Sequence, residues 1–109
     1  SSHKRFRFLY KKTPYNIPCQ EIWYFEKNKR KVLIHTSAEK YETYCTIREV
    51  MAQLNPDSFI AISYSFLVNI EFIRIIKGNE VTLYNGMVLP VSRERRKQLK
   101  EKQLMLCCR

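Results

Sequence analysis

Residues 21–36 read EIWYFEKNKRKVLIHT, and their reading decides the fold. Glu21 to Glu26 is a short aromatic run and Val32 to Thr36 a short apolar one, both rich in residue types that favour strands. Between them Lys27, Asn28, Lys29, Arg30 and Lys31 form a polar, basic connection. The same pattern continues outward on both sides. From Lys4 to Lys12, Phe6, Phe8 and Tyr10 alternate with Arg5, Arg7 and Lys11, which is strand periodicity with one wet basic face. Pro14 and Pro18 bracket a turn or edge segment, because a residue without an N–H cannot sit in a central strand. Ser37 and Ala38 make a short turn, and Lys40 to Cys45 returns with alternating, Tyr-rich character. These pieces read as a meander of antiparallel strands.

At Thr46 the period changes. Thr46-Ile47-Arg48-Glu49 fits a capping box, and Ile47, Val50, Met51 and Leu54 form one apolar stripe at helical spacing. Asn55-Pro56-Asp57 stops this helix. Strands resume at Phe59 to Ile62. Phe72 to Ile76 and Glu80 to Tyr84 form a hairpin through Lys77-Gly78-Asn79. Asn85-Gly86 predicts a type I′ turn with positive φ at both residues, returning the chain as Met87 to Val91. Ser92 then caps a basic helix running to about Leu104. The fold class is mostly β, with one short internal helix and a C-terminal helix. The only long helix is terminal and sparsely apolar, so no recognition helix of the helix-turn-helix kind is expected. Residues 1–109 read as one domain, with residues 1–3 a tag or linker remnant and residues 105–109 a tail.

Charge narrows the partners. Twenty Lys and Arg face ten Asp and Glu, a formal net charge of +10. The excess is clustered: Lys4, Arg5, Arg7, Lys11 and Lys12 in one group, Lys27 to Lys31 in a second, and Arg93, Arg95, Arg96, Lys97, Lys100 and Lys102 in a third. Clustered cations favour phosphate backbones over incidental basicity. No apolar run approaches the ~20 residues that a membrane-spanning helix needs, so no membrane partner is expected.

Catalysis and metal binding find no support. The patterns of serine hydrolases, zinc peptidases and phosphate-binding loops are absent, and the acids are scattered singly. His35 lies inside VLIHT, where a satisfied half-buried role is the commoner one, and nothing in the spacing pairs it with Cys45. Cys19, Cys45, Cys107 and Cys108 include no C-x-x-C pair. Free thiols in a reducing cytoplasm are expected, and neither a metal nor a cofactor. For the basic residues, Lys27 to Lys31 fit a phosphate-binding loop as well as a plain charged hairpin. Arg93, at the entrance to a helix, is placed to reach a guanine edge, yet Arg93, Arg96 and Lys97 fit a solvated helix face equally well.

The segment SYSFLVNIEFI, residues 63–73, resembles the signature of LytTR-type DNA-binding domains, with Ser65, Phe66, Leu67, Val68, Asn69 and Ile73 in its places. Downstream, Ile73 to Ile76, VTLYNG and LPVSRERRKQL follow that family's closing pattern. Upstream, EIWYFEKNKRKVLIHT, the helix ending at Leu54 and the strand FIAI follow its opening. The resemblance covers residues 14–104. It implies an elongated assembly of small antiparallel sheets, about ten short strands in all. It also implies the output domain of a bacterial response regulator, with a receiver domain upstream. Such domains bind promoter direct repeats in double-stranded DNA, often one regulator per repeat, with loops entering successive major grooves. Carried onto this chain, it marks Arg30 as a base reader among Asn28, Lys29 and Lys31, places Tyr64 and Ser65 at the duplex, and makes Arg93 a second base reader with Arg96 beside it. The family often has His-Arg before the signature Ser, where this chain has Ser63-Tyr64, so the usual contact there is altered. Val68 and Asn69 read as structural.

Two rivals remain at this stage. An RNA-binding module would use Phe6, Phe8, Tyr10 and Trp23 as stacking platforms on a basic sheet face. A protein-interaction or membrane-sensing module would carry its basicity incidentally.

Overall fold

A computed structural model describes residues 4–106, with side chains through residue 102. Cys107, Cys108 and the terminal serines therefore lie outside the described residues. Among the described residues, ten strands form three antiparallel sheets. Strands β1 (Arg5–Tyr10) and β2 (Thr13–Pro18) make a hairpin. Strands β3 (Ile22–Asn28), β4 (Lys31–Thr36), β5 (Lys40–Tyr44), β6 (Phe59–Ala61) and β7 (Phe66–Asn69) form a five-stranded sheet in the order β5-β4-β3-β7-β6. Strands β8 (Ile73–Lys77), β9 (Glu80–Leu83) and β10 (Val88–Pro90) form the third sheet. Helix α1 (Ile47–Ala52) joins β5 to β6, and α2 (Arg93–Leu106) follows β10. The extents are 45 × 33 × 24 Å, the longest about twice the shortest.

The five-stranded sheet is the middle of three layers, and strand alternation explains how. Phe25 and Leu67 pair across β3 and β7 and face a cluster built with Phe6, Phe8, Val32, Ile34, Val50 and Phe59. Their neighbours Tyr24 and Val68 face the opposite cluster of Ile60, Ile62, Val81, Leu83, Leu89, Val91 and Leu99. One face thus buries the β1–β2 hairpin and α1, the other the three-stranded sheet and α2. Burial on both faces is why IWYF and FLV read as continuous apolar runs. Helix α2 is held by Leu99, 2% exposed, which is how a sparsely apolar helix still docks. Asn69 is buried. Its Nδ2 donates to the Ile22 carbonyl at 3.0 Å and its Oδ1 accepts from the Glu71 amide at 3.1 Å, the structural role expected of it.

Several local expectations hold. The capping box is complete, with Glu49 N donating to Thr46 Oγ1 at 3.0 Å and Thr46 N to Glu49 Oε1 at 2.9 Å. Pro14 and Pro18 lie in β2, which among the described residues pairs only with β1, so its other edge can carry the missing donors.

Others are corrected. The basic connection is shorter than it reads, because Asn28 pairs with Lys31 and only Lys29-Arg30 form the turn. Met51 is 50% exposed, since a helix of six residues needs only Val50 and Leu54 to anchor it. The Asn85-Gly86 turn is not type I′: of the pair only Gly86 has positive φ, 89°. Gly86 N donates to Leu83 O and Leu83 N to Met87 O, both at 2.9 Å, and Asn85 Oδ1 accepts from Met87 N at 2.9 Å. This is a three-residue loop closed by a left-handed glycine, the next commonest hairpin solution. Positive φ angles that were not foreseen fall on Gly78 at 60° and on three lysines, Lys11 at 51°, Lys12 at 65° and Lys29 at 58°.

Candidate nucleic-acid interface

Three segments far apart in sequence are tied together at one end of the five-stranded sheet. The β3–β4 turn carries Lys29 and Arg30. Beside it runs the β6–β7 loop, because β3 pairs with β7 up to Glu26↔Phe66 and Lys27 N then donates to Ser65 O at 2.7 Å. Ser65 N and Phe66 N both donate to Ser63 Oγ at 3.2 Å, which folds the loop on itself. The entrance to α2 joins from the other side, where Ser92 N donates to Ile62 O at 2.8 Å. The Ser92 carbonyl accepts the first helical bonds, from Arg95 N and Arg96 N. All eight sequence-predicted residues lie on these three segments: Asn28, Lys29, Arg30, Lys31, Tyr64, Ser65, Arg93 and Arg96.

Their side chains fall into two groups. Tyr64 lies on the surface beneath Lys27, whose Nζ sits 4.3 Å from the ring centre and donates to the phenol oxygen at 2.9 Å. That bond and the ammonium charge lower the Tyr64 pKa from its ordinary value. Lys31 donates to Glu42 Oε1 at 3.2 Å and lies over the Tyr44 ring, and the Glu42 bond raises its pKa. Arg96 Nη1 donates to Asn79 Oδ1 at 2.5 Å, so the β8–β9 turn steadies the first turn of α2. Asn28, Lys29, Arg30 and Arg93 are exposed, and within the described residues their side chains have no hydrogen-bond or charged partner. Arg30 and Arg93 therefore present free guanidiniums from two rigid bases, each able to give two parallel bonds to the O6 and N7 of a guanine.

Sequence reasoning missed Lys27 and Asn79 as members of this end. Lys27 was visible only as one cation of a cluster; what sets it apart is the strand pairing that brings Ser65 alongside. Nothing local marks Asn79, because its partner Arg96 is 17 residues away.

The catalytic alternative finds the groups it would need occupied. His35 stacks on Tyr24 with ring centres 4.0 Å apart and bonds Glu26 Oε1 at 3.1 Å. Burial lowers its pKa against the opposing pull of Glu26. Burial and Glu49 push the Cys45 thiol up to about 11, far from a reactive thiolate. The RNA alternative loses the aromatics it relied on. Phe6 and Phe8 are 1% and 9% exposed, inside the core. Tyr10 packs edge-on to Tyr15 and Tyr41, and Trp23 stacks on Phe72 at 4.2 Å. These four side chains do not make an open stacking face, because the aromatic side of β1 is its buried side. Among the described residues no helix is long and apolar enough to cross a membrane.

A family model, the LytTr DNA-binding domain, matches residues 12–103. A solved LytTr DNA-binding domain of a putative methyl-accepting/DNA response regulator from Bacillus cereus superposes with a TM-score of 0.81. The two chains are 20% identical, and the match covers 94% of this chain and 98% of the other. No curated protein matches the sequence.

Proposed function

Because the chain belongs to the LytTr DNA-binding domain family, we propose that it binds specific double-stranded sequences in promoters, reading them from the three segments gathered at one end of its central sheet. The single observation that carries this reading is the contrast among the cations there. Lys27, Lys31 and Arg96 are bonded within the protein, while Arg30 and Arg93 stand exposed and uncommitted on segments those bonds hold still. In this reading Arg30 and Arg93 take base edges in separate stretches of major groove. Asn28, Lys29, Lys31, Tyr64, Ser65 and Arg96 position the backbone around them. The domain acts as the output of a bacterial response regulator, with a receiver domain joined ahead of it and one regulator on each of two direct repeats.

The experiment is selection of bound duplexes from a random pool, followed by binding to the selected site and to a scrambled duplex over a range of salt. Tight preference for the selected duplex is expected, with affinity that falls steeply as salt rises. Equal affinity for both duplexes, or affinity indifferent to salt, would remove the reading. Footprints on natural promoters should then show paired protections in the same orientation; a single isolated site would argue against direct repeats.

A further inference from the structure

We infer that the β1–β2 turn, Lys11-Lys12, is a separate phosphate-gripping point that holds the duplex backbone beside the stretch read by Arg30. The inference rests on the duplex binding proposed above and adds a contact to it.

The turn lies next to the reading end. Lys11 and Lys12 line one wall of a groove whose other wall includes Lys31 and Tyr44. Lys31 and Tyr44 also border the depression formed by Asn28, Lys29 and Arg30. Basic side chains therefore recur from the β1–β2 turn to the β3–β4 turn, with Lys31, paired to Glu42, and Tyr44 between them. Two acids line the groove, and both are engaged: Glu42 with Lys31, and Glu49 with the Thr46 amide. Lys11 and Lys12 are exposed and have no carboxylate partner among the described residues. Lys11 only lies near its neighbour's ring, 5.2 Å from the centre of Tyr10.

The backbone points the same way. Both lysines occupy left-handed conformations in a two-residue turn, where Asn-Gly would sit without strain. Two charges are kept where the fold would favour two other residues. The arm beneath them is stiff. Arg5 bonds Asn16 across the hairpin at 2.7 Å. The Gln53 side chain, at the C-terminal cap of α1, accepts from Arg7 N at 2.9 Å and donates to Arg7 O at 3.0 Å. Lysine is a compact charge without the planar fork that matches a guanine, so these residues suit phosphates and not base edges.

The test is the double variant Lys11→Asn/Lys12→Gly in the whole chain, with a duplex that extends well beyond the selected site on both sides. These residues suit the turn, so the variant's thermal midpoint is expected at or above the parent's. Losing two phosphate contacts should make the slope of log affinity against log salt shallower by about 1.8. The affinity gap between parent and variant should accordingly shrink by about ten-fold from 50 to 200 mM salt. The loss should be the same on selected and scrambled duplexes. Lys11→Arg/Lys12→Arg should keep the parent's slope. An unchanged slope in the Asn-Gly variant overturns this inference and leaves the proposed function intact, as does an equal drop in the Arg-Arg variant. A parent chain that binds no duplex overturns both.

Discussion

Two kinds of tight turn close the hairpins of this domain. In the β1–β2 and β3–β4 turns the left-handed positions are held by Lys11, Lys12 and Lys29; in the β8–β9 and β9–β10 turns they are held by Gly78 and Gly86. Glycine adopts positive φ freely, whereas a side chain with a Cβ is strained there by roughly 1–2 kcal/mol per residue. The glycine turns thus serve the fold without steric strain. The lysine turns give up stability to hold charge at the tips of the hairpins nearest the proposed duplex. The comparison teaches that strained backbone and charge coincide in the two lysine turns, while the three-stranded sheet makes its turns with glycine, including the β8–β9 turn whose Asn79 holds Arg96.

The sharpest way to break that comparison lies inside a single turn. Arg30 and Lys29 are neighbours, but only Arg30 is assigned a base edge. Arg30→Ala should cost about 1–3 kcal/mol of discrimination between selected and scrambled duplexes and relax preference at one position of the site. Arg93→Ala should do the same at a different position, and Lys100→Ala should weaken both duplexes slightly and equally. Equal losses for Arg93→Ala and Lys100→Ala on both duplexes would reduce Arg93 to a plain charge. Next in size is Gly86→Val. A Cβ at Gly86 meets nothing within 4 Å, so any loss comes from backbone conformation and not from a clash. A β-branched residue at φ 89° should destabilise the domain by about 1–3 kcal/mol while leaving its preferred DNA sequence unchanged. Full stability in chemical denaturation would mean that the turn has another solution. Smallest is Lys29→Gly. Relief of strain offsets the added chain entropy of glycine, so stability should rise by about 1 kcal/mol or less. Affinity should nevertheless fall equally on both duplexes through one lost phosphate contact. A fall in stability would show that the lysine turn is comfortable and remove the premise of the comparison.

Much of the fold was legible because it is written in periodicity. The alternation of Phe6 and Phe8 with Arg5 and Arg7 put the right face of β1 inside, and Thr46 with Glu49 fixed the start of α1. The failures share a cause. Met51 continues a helical stripe that the protein has no depth to bury, and Asn85-Gly86 carries a turn signal that two different loop lengths can satisfy. For the candidate site, composition and spacing found the basic clusters but left Arg93 and Arg96 as readily a solvated helix face. Only the bond from Arg96 to Asn79, 17 residues away in the chain, separates the two.

By itself, then, the sequence determined which stretches are strands, where the helices begin, that the charge is positive and clustered, and, through the ordered run from EIWYFEKNKRKVLIHT to LPVSRERRKQL, the family. These are properties of neighbouring residues, set by side-chain period, capping chemistry and backbone preference. The tertiary structure alone decided which cations are free. Lys27 reaches Tyr64 across 37 residues, Lys31 reaches Glu42 across 11 and Arg96 reaches Asn79 across 17, while Arg30 and Arg93 have no partner among the described residues. Contacts of that kind depend on strand order and register, and sheet pairing between distant segments is what no local pattern encodes.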